Sequence, residues 1–562
     1  MTPGMDGLDF SVLERQVGGR LLRVQSPLRA CLPGGDPARC AQALANLRNP
    51  YAIEDDPGAF HTTGWLGAFD AGHSPVAVAA ETPADIAAAV DFARDHGLGL
   101  VIKGTGHDYL GRSSAPGALL VWTHRMRDIT VHDAFTPAGT GGPGVPAVTV
   151  GAGARWLEVY QAAARHGRLV QGGGCTSVGA AGGFTQGGGF GPLSRRYGTA
   201  AGNVLEIEVV TASGEILVAN AEQHADLFWA LRGGGGGTFG VVSKLTMRTH
   251  PMPSSITIVA GAIRAATDGE FRNLIRALTD FLPGLCDDRW GEQVRLSGDN
   301  TAGFFMTATD VTEAEARGTW RPFLDWAAAR PGAFSADVSV SVIPSGSLWD
   351  ASAWDEIAPG MACPDDRPDQ PPGRFWWATN QDEVSQYLHA YQSRWLPLRL
   401  FREAPDTVAD ALFGASRHWG ISLHLNKGLC GASAEAVARD RATAINPAVF
   451  DAAALVITGS MQQYAYPGVP GYEPDPAQAG AGARQVGAAM DVIRALTPDS
   501  GSYVNETDYF EPNWQQSFWG ANYARLAEIK QAYDPANLFR VHHGVLAVGE
   551  KGGGEGGASP LL

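Results

Sequence analysis

The sequence predicts an α+β protein of two domains in which the end of the chain returns to the first domain. The 562 residues exceed the roughly 250–300 at which a single hydrophobic core stops growing. Short strands and helices alternate through residues 74–252, and a second pattern of helices and strands covers 253–500. Residues 501–548 return to the pattern of the first region, so we expect them to complete that domain.

Local signals place the elements of the first domain. Thr82 and Pro83 pair an N-cap residue with a proline at the first helical position, and Gly97 stands where a helix-ending glycine belongs. The same kinds of signal predict helices at 154–166 and 222–232 and strands at 98–103, 118–122, 204–210 and 241–249. Residues 1–73 are rich in turn formers, which predicts an irregular N-terminal extension.

The second domain and the C-terminus follow from the same reasoning. We expect helices at 268–282, 434–445 and 522–533, strands at 336–343 and 421–426, and a proline- and acid-rich loop at 359–374. The glycine-rich residues 549–562 are predicted to form a flexible tail.

Composition and charge exclude several classes of protein. A formal charge of −16 and the absence of a basic run argue against nucleic-acid binding. No apolar stretch reaches the length of about 18 residues that a membrane span needs. The N-terminus lacks the features of a signal peptide, which predicts a cytoplasmic protein. The alternative is a secreted or periplasmic protein whose natural N-terminus lies upstream.

The six cysteines include no C-x-x-C pair, so we expect no metal site. Cys31 and Cys40 lie close enough in sequence to bridge a short surface loop, which would imply an oxidising compartment. Two reduced surface cysteines are the equally weighted alternative.

Glycine is the outlier in composition: 72 of the 562 residues, about 13%, are glycine, against a usual share of about 7%. Much of it is concentrated in three clusters, at 104–111, 172–191 and 233–240. Such loops reach positive φ and bring backbone N–H groups close to a ligand, although tight turns are the simpler explanation for any single cluster. Because the first cluster follows a strand, its amides are suited to a pyrophosphate.

Standard nucleotide and hydrolase motifs do not account for these clusters. Residues 235–240 formally match G-x-G-x-x-G, but a helix precedes them and a strand follows, which reverses the Rossmann order. The chain also lacks a P-loop, H-E-x-x-H and G-x-S-x-G. A dinucleotide held by a domain other than the Rossmann fold is the remaining interpretation.

Two of the clusters carry a specific resemblance. Gly104-Thr-Gly-His-Asp-Tyr-Leu-Gly-Arg-Ser-Ser resembles the histidine-bearing loop of the berberine bridge enzyme-like flavoproteins, in the vanillyl-alcohol oxidase (PCMH-type) superfamily. Gly174-Cys-Thr-Ser-Val-Gly-Ala-Ala-Gly-Gly resembles the second loop of that family, and Tyr503-Val-Asn its C-terminal motif. The resemblance covers about residues 74–252 and 503–545 and is nearest to the isoamyl-alcohol-oxidase-like branch.

The resemblance implies a two-subdomain PCMH-type FAD-binding domain, an α/β substrate domain with an antiparallel sheet, and a bicovalent FAD. His107 would bond the 8α-methyl carbon of the flavin and Cys175 would bond C6. An unprotonated imidazole and a thiolate are nucleophiles suited to this chemistry. Thr176 departs from the family, which usually has proline there.

The resemblance also implies the remaining site residues. Tyr503 and Tyr109 are the catalytic candidates, and a phenol needs a lowered pKa to act as a base near neutral pH. Further cofactor-binding candidates, besides His107 and Cys175, are Gly104, Thr105, Gly106, Asp108, Val178, Gly179, Gly182, Gly183, Gly187, Asn203, Gly240 and Val242. Asn505 is expected to be structural support for the tyrosine.

The implied reaction is hydride transfer from a CH–OH or CH–NH carbon of a small molecule to the flavin, with O₂ as the acceptor. In the family a small residue at the position of Val178 accompanies oxygen access, which favours an oxidase. An oxidative cyclase or a dehydrogenase with another acceptor is the alternative, and a non-catalytic flavin-binding protein is a third possibility.

Period-2 spacing predicts that Ser422, His424 and Asn426 share a strand face, which either lines the substrate pocket or meets solvent. We assign no chemistry to His542 and His543.

Overall fold

The computed structural model describes residues 5, 7–287 and 289–547 of the chain. The predicted flexible tail at 549–562 lies outside the described residues. Three large β-sheets organise the structure, and one small two-stranded sheet accompanies them.

The strands are short in the first half of the described chain and longer in the second. They are β1 (Leu21–Arg23), β2 (Thr62–Trp65), β3 (Phe69–Asp70), β4 (Val76–Ala79), β5 (Gly99–Lys103), β6 (Ala118–Trp122), β7 (Ile129–Phe135), β8 (Val145–Gly151), β9 (Arg168–Val170), β10 (Val204–Val210), β11 (Ile216–Asn220), β12 (Val241–Pro251), β13 (Ser255–Ala265), β14 (Trp290–Ser297), β15 (Thr301–Thr309), β16 (Phe334–Pro344), β17 (Ala362–Pro364), β18 (Phe375–Trp377), β19 (Gln386–Pro397), β20 (Ile421–His424) and β21 (Ala452–Gln463).

The helices range from single turns to a helix of six turns. They are α1 (Ser11–Gln16), α2 (Pro37–Ala45), α3 (Pro50–Glu54), α4 (Pro83–Asp95), α5 (Trp156–Ala164), α6 (Gly183–Gln186), α7 (Ser194–Tyr197), α8 (Ala200–Asn203), α9 (Ala225–Leu231), α10 (Asp268–Phe281), α11 (Glu313–Ala328), α12 (Ala351–Ile357), α13 (Leu398–Glu403), α14 (Pro405–His418), α15 (Ala434–Arg441), α16 (Pro476–Leu496), α17 (Trp514–Trp519) and α18 (Tyr523–Tyr533). Short 3₁₀ turns occur at Pro27–Cys31, Leu282–Leu285, Ser345–Ser347, Ala378–Glu383, Leu425–Lys427, Pro447–Phe450 and Gly520–Asn522.

The first sheet has four strands in the order β1-β4-β6-β5, and α4 packs against it. Strands β4, β6 and β5 are parallel, and every residue of β6 is buried. Thr82 caps α4 as predicted, and Asp85 completes the capping box. Because β5 ends at Lys103, the first glycine cluster leaves from the carboxyl end of a parallel strand, where α/β sheets commonly bind ligands.

The second sheet is antiparallel, in the order β11-β10-β12-β8-β7 with β9 beside β12. Its strands flank the other two glycine clusters, since β9 ends just before the second cluster and β12 begins just after the third. Helix α5 covers it together with α9 and the C-terminal helix α18 in one hydrophobic core. The returning C-terminal segment therefore packs where the sequence pattern predicts.

The third sheet has nine strands in the order β16-β13-β15-β14-β20-β21-β19-β2-β3. Every neighbouring pair is antiparallel except β19 and β2, which are parallel. Helices α10, α11, α14 and α16 bury their apolar faces in one core with this sheet. The α+β class with an antiparallel substrate-domain sheet is confirmed.

The prediction that residues 1–73 are irregular is wrong. This segment contains α1, α2 and α3, adds β1 to the first sheet and contributes β2 and β3 to the nine-stranded sheet. These strands are two to four residues long, and β1 and β2 pair with residues distant in sequence, so the segment shows no periodic pattern. Cys31 and Cys40 form a disulfide, the first of the two alternatives.

Several other boundaries differ from prediction, and the helices α11, α14 and α16 were missed. The helix expected at 434–445 ends at Arg441, and the strand expected at 421–426 ends at His424. Helix α16 contains three glycines, which weaken the helical signal. One of them, Gly482, has no room for a side chain because a Cβ there would lie 2.3 Å from Ser460 Oγ.

None of the described helices is both long enough and apolar enough to cross a bilayer.

Candidate active site

The three glycine clusters meet one another in the structure. The Gly179 N–H donates to Thr105 Oγ1 at 3.0 Å, which joins the second cluster to the first. The N–H groups of Gly233 and Gly235 donate to the carbonyl oxygen of Gln186 at 2.9 and 3.0 Å, which joins the third cluster to the second. Thr105 is buried, so these contacts lie inside the protein.

Glycine is required at two positions for different reasons. Gly106 has φ +85°, and a Cβ there would also lie 2.7 Å from Lys103 Cε. Gly187 has an ordinary φ, but a Cβ would lie 2.4 Å from Asn505 Nδ2. The C-terminal motif therefore packs directly against the backbone of the second cluster.

His107 lies in a cluster of polar side chains. Its Nε2 is 2.9 Å from Glu54 Oε1 and 2.8 Å from Ser177 Oγ. Its ring stacks on His61 with 3.7 Å between the centroids. Burial, followed by the charges of His107 and Lys103, holds the pKa of His61 well below its usual value, so His61 is neutral near pH 7.

Cys175 reaches the same cluster through Ser177. Its Sγ is 3.6 Å from Ser177 Oγ, so one hydroxyl contacts both predicted attachment residues. Burial and the nearby Glu383 carboxylate raise the pKa of the Cys175 thiol to about 12. The thiol is therefore protonated at neutral pH in this structure, in contrast to the thiolate expected from its proposed chemistry.

Glu54 is the buried centre of this cluster. Its second carboxylate oxygen accepts from Arg155 Nε at 2.5 Å, and neither side chain is exposed. Arg155 also donates to Asp55 Oδ1 at 2.7 Å. Ligand atoms of Glu54, His61 and His107 lie within 4.8 Å of one another, as a metal site would require. The Arg155 guanidinium already supplies the positive charge there, which opposes a bound cation.

Tyr503 is buried next to the second cluster. Its hydroxyl accepts from the Gly189 N–H at 3.2 Å and from Asn505 Nδ2 at 3.0 Å. Asn505 also donates to the Gly183 carbonyl oxygen at 2.9 Å, consistent with its expected supporting role. Burial and then the Glu506 carboxylate raise the pKa of Tyr503, although both hydrogen bonds act to lower it. The described surroundings of Tyr503 therefore raise the pKa of this phenol rather than lower it.

Tyr109 stacks on Tyr391 with 4.9 Å between the ring centroids. Burial is the main cause that raises the pKa of both phenols, and the charges of Glu383 and Glu506 add to it. The charge of Glu506 also raises the pKa of Tyr503, so this carboxylate acts electrostatically on both predicted catalytic tyrosines. Lys427 forms an ion pair with Glu506 and is itself buried.

Several predicted cofactor residues lie beside this cluster. Asp108 accepts from Arg112 Nε at 2.8 Å, and Arg112 contacts the Val504 carbonyl oxygen at 3.4 Å. Val178 is half-buried, and its carbonyl oxygen accepts from the Trp156 N–H at 2.9 Å. At Gly183 a Cβ would meet no atom within 4 Å. At Gly104 it would lie 3.3 Å from the Ala152 carbonyl oxygen, a tight contact, and at Gly182 it would lie 4.0 Å from the Gly179 carbonyl oxygen.

Three other predicted cofactor residues are not brought into contact with the His107 cluster. Asn203 donates to the carbonyl oxygens of Tyr197 and Thr199, both at 2.8 Å, and accepts from His250. A Cβ on Gly240 would lie 2.7 Å from the Val210 carbonyl oxygen, so this glycine permits close strand packing. Val242 is buried in the core of the second sheet.

The predicted common face of Ser422, His424 and Asn426 is only partly observed. Ser422 and His424 lie on β20, but the strand ends there and Asn426 falls in a 3₁₀ turn, so that period-2 spacing no longer applies. Ser422 donates to Gln293 at 3.3 Å. His542 stacks on Tyr509 at 3.7 Å, which agrees with a packing role.

Sequence reasoning missed five residues of the site. These are Glu54, Ser177, Glu383, Tyr391 and Glu506. Ser177 and Glu506 stand within three residues of a recognised motif residue, so neighbours of the motifs were a usable signal. Glu54, Glu383 and Tyr391 are brought in by elements distant in sequence and had no such signal.

The residues present fit an FAD. The His107 imidazole and the Cys175 thiol both contact the Ser177 hydroxyl. The adjoining loops are rich in glycine and leave open space at Gly174 and Gly183. Residues 74–220 match the family described as "FAD binding domain", and residues 502–546 match "Berberine and berberine like". The fold and site together define an FAD-dependent oxidoreductase of the vanillyl-alcohol oxidase type.

Known proteins give the same assignment. The chain is 33% identical to the FAD-linked oxidoreductase ZEB1 of Gibberella zeae over 476 residues, which cover 84% of this chain and 75% of the relative. It resembles the structure of the VAO-type flavoprotein MtVAO615 of Myceliophthora thermophila with a TM-score of 0.79 and 27% identity, over 97% and 96% of the two chains. The chain belongs to the berberine bridge enzyme-like FAD-linked oxidoreductases.

A second similar structure is the glucooligosaccharide oxidase of Acremonium strictum, with a TM-score of 0.66 and 20% identity over 88% of this chain and 95% of that one. That oxidase carries a 6-S-cysteinyl, 8α-N1-histidyl FAD.

Proposed function

We propose that this chain is an oxidase that carries FAD covalently on His107 and Cys175, oxidises a CH–OH or CH–NH group of a small molecule and reduces O₂ to H₂O₂. The main support is the convergence of both side chains on the Ser177 hydroxyl, at 2.8 and 3.6 Å. The doubly linked FAD of the Acremonium strictum oxidase supports the same pair of bonds. When bound, FAD supplies the two-electron oxidation and passes the electrons to O₂.

The glycine clusters would hold the cofactor through their backbone. The N–H groups near Gly104, Thr105 and Gly106 follow a parallel strand and are suited to the pyrophosphate. The open positions beside Gly182 and Gly183 would admit the ring system, while Gly179 packs against Thr105. Asn203, Gly240 and Val242 would support these loops from behind rather than contact the cofactor directly.

The protein prepares both attachment side chains for bond formation. The imidazole of His107 has two polar partners at Nε2, which orient its ring. The Cys175 thiol must lose a proton, because burial raises its pKa to about 12. Ser177 lies between the thiol and the imidazole and offers a path for that proton.

Tyr503 would contact the reacting group of the substrate and take its heteroatom proton. Two N–H donors on its oxygen would stabilise the phenolate, while burial opposes that charge. Tyr109, stacked on Tyr391, would line the substrate pocket and orient the substrate. Val178 would leave a path for O₂ because its side chain is small.

The disulfide between Cys31 and Cys40 favours an oxidising compartment over the cytoplasm. We therefore prefer the secreted or periplasmic alternative for this protein.

The proposed reaction is tested by mixing the purified protein anaerobically with alcohols, amines and sugars while following flavin absorbance. A substrate should bleach the flavin, and air should restore the colour with one H₂O₂ released per turnover. Bleaching without reoxidation by air would indicate a dehydrogenase. No bleaching by any compound would contradict the assigned substrate groups.

A further inference from the structure

We propose that Glu54 is a positioning residue for cofactor attachment. It holds the His107 imidazole with its proton on Nε2, receives that proton, and leaves Nδ1 as the nitrogen that bonds the flavin. This inference rests on the proposed function, since it requires that His107 is an attachment residue.

The hydrogen bonds at His107 fix the position of the ring proton. A carboxylate only accepts hydrogen bonds, so the nitrogen 2.9 Å from Glu54 Oε1 must carry the proton. That nitrogen is Nε2, and Ser177 Oγ at 2.8 Å shares the same proton. Among the described residues Nδ1 has no hydrogen-bond partner, and the side chain is 13% exposed. Nδ1 therefore presents a free, accessible lone pair.

Glu54 is itself held in place. It is the last residue of α3 and has no exposed surface. Arg155 Nε donates to its Oε2 at 2.5 Å, which leaves Oε1 for the imidazole. The stacked ring of His61, 3.7 Å away, covers one face of His107 and opposes rotation of the imidazole. These contacts select one orientation and one tautomer.

The chemistry of attachment gives this carboxylate a second task. Attachment forms one bond from Nδ1 to the 8α carbon and breaks one C–H bond of the 8α-methyl group. The imidazole, now bonded at Nδ1, must also lose its Nε2 proton, and Glu54 Oε1 is the acceptor in contact with it. Two protons and two electrons leave in total, and O₂ takes them up as H₂O₂.

The test uses full-length protein with Cys175→Ala, so that acid-stable flavin reports only the bond to His107. In that background Glu54→Gln is compared with Asp55→Asn. Both changes remove a carboxylate that binds Arg155, but only Glu54 contacts His107. Total bound flavin, flavin retained after acid precipitation and, by NMR of the flavin peptide, the bonded nitrogen are measured.

We expect the Glu54→Gln protein to bind flavin but to attach it roughly 100-fold more slowly, the lower range for loss of a positioned proton acceptor. Most of its flavin should be released by acid, while Asp55→Asn should retain its flavin. Equal retention in both, or equal loss in both, would overturn the role of Glu54.

If Glu54→Gln fails to fold, the identity of the His107 nitrogen bonded to the flavin gives an independent answer. In the Cys175→Ala protein alone we expect the bond at Nδ1, and a bond at Nε2 would overturn the inference. Flavin absent from the His107 peptide of this protein would instead refute the proposed attachment, and the inference with it.

Discussion

Arg155 offers a direct test of how the charges beneath the site are balanced. Its side chain has no exposed surface, and it donates to Glu54 at 2.5 Å and to Asp55 at 2.7 Å. Arg155→Met retains an unbranched chain but removes every donor. Glu54 would become an unpaired buried charge, a situation that costs about 3–5 kcal/mol. Loss of the Arg155–Asp55 ion pair adds less to this destabilisation, because Asp55 is 25% exposed and keeps Arg367 as a partner.

The pH dependence of this effect has a definite sign. Burial alone would raise the pKa of Asp55, but its bond to His124 and the Arg155 and Arg367 charges hold it well below its usual value. A carboxylate with a depressed pKa stabilises the fold above its unfolded pKa of about 3.9 and loses that contribution as the pH falls. The difference between wild type and Arg155→Met should therefore be largest near pH 7 and shrink below about pH 4.

Urea unfolding followed by tryptophan fluorescence measures this difference, and Trp156 lies next to the substituted residue. The variant should unfold at clearly lower urea at pH 7, with the two midpoints converging at acid pH. An unchanged midpoint at pH 7 would refute the argument that Glu54 depends on Arg155 for its charge.

Four further changes test other parts of the structure. Tyr503→Phe should lower turnover by about 100-fold or more, and the wild-type rate should still be rising with pH in the alkaline range because burial raises the pKa of this phenol. Val178→Leu should slow reoxidation by O₂ in stopped-flow measurements and leave anaerobic reduction unchanged. Burial raises the pKa of Glu292 to about 7, so the fold loses stability as the pH rises from the lower unfolded pKa toward this value. The Glu292→Gln variant should therefore gain about 1–3 kcal/mol in free energy of unfolding over wild type on going from pH 4 to pH 8, measured by urea unfolding. Replacing Cys31 and Cys40 with serine should cost about 2–3 kcal/mol by the loop-entropy estimate, measured by urea unfolding of the double variant.

Each of these expectations has a clear contrary result. A Tyr503→Phe enzyme with full turnover would remove the tyrosine from the mechanism. Equal reoxidation rates would remove Val178 from control of oxygen access. A Glu292→Gln protein with the wild-type pH dependence would mean that this carboxyl is well solvated. Unchanged stability after loss of the disulfide would mean that the bond between Cys31 and Cys40 does not stabilise the fold.

The sequence predicted those parts of the fold that depend on local signals. Thr82 caps α4 where expected, and β6 and β10 have the predicted bounds. The placement of His107 and Cys175 near one another also agrees with expectation, because each stands in a glycine loop with a recognisable motif. In these cases a few adjacent residues specify the local geometry.

The parts that could not be predicted depend on contacts between distant segments. Strand β2 exists because it pairs with β19, more than three hundred residues later. Glu54 reaches His107 from the end of α3, 53 residues earlier in the chain, and no pattern near residue 54 reveals it. The raised pKa of Tyr503 follows from burial among several elements, which the Y-x-N motif does not report.

Covalent attachment of FAD through His107 and Cys175 is the central claim, and acid precipitation of the purified protein tests it most directly. The wild-type pellet should be yellow, each single alanine variant should retain flavin through the remaining bond, and the double variant His107→Ala, Cys175→Ala should release it into the supernatant. Flavin that stays with the precipitated double variant would contradict the claim.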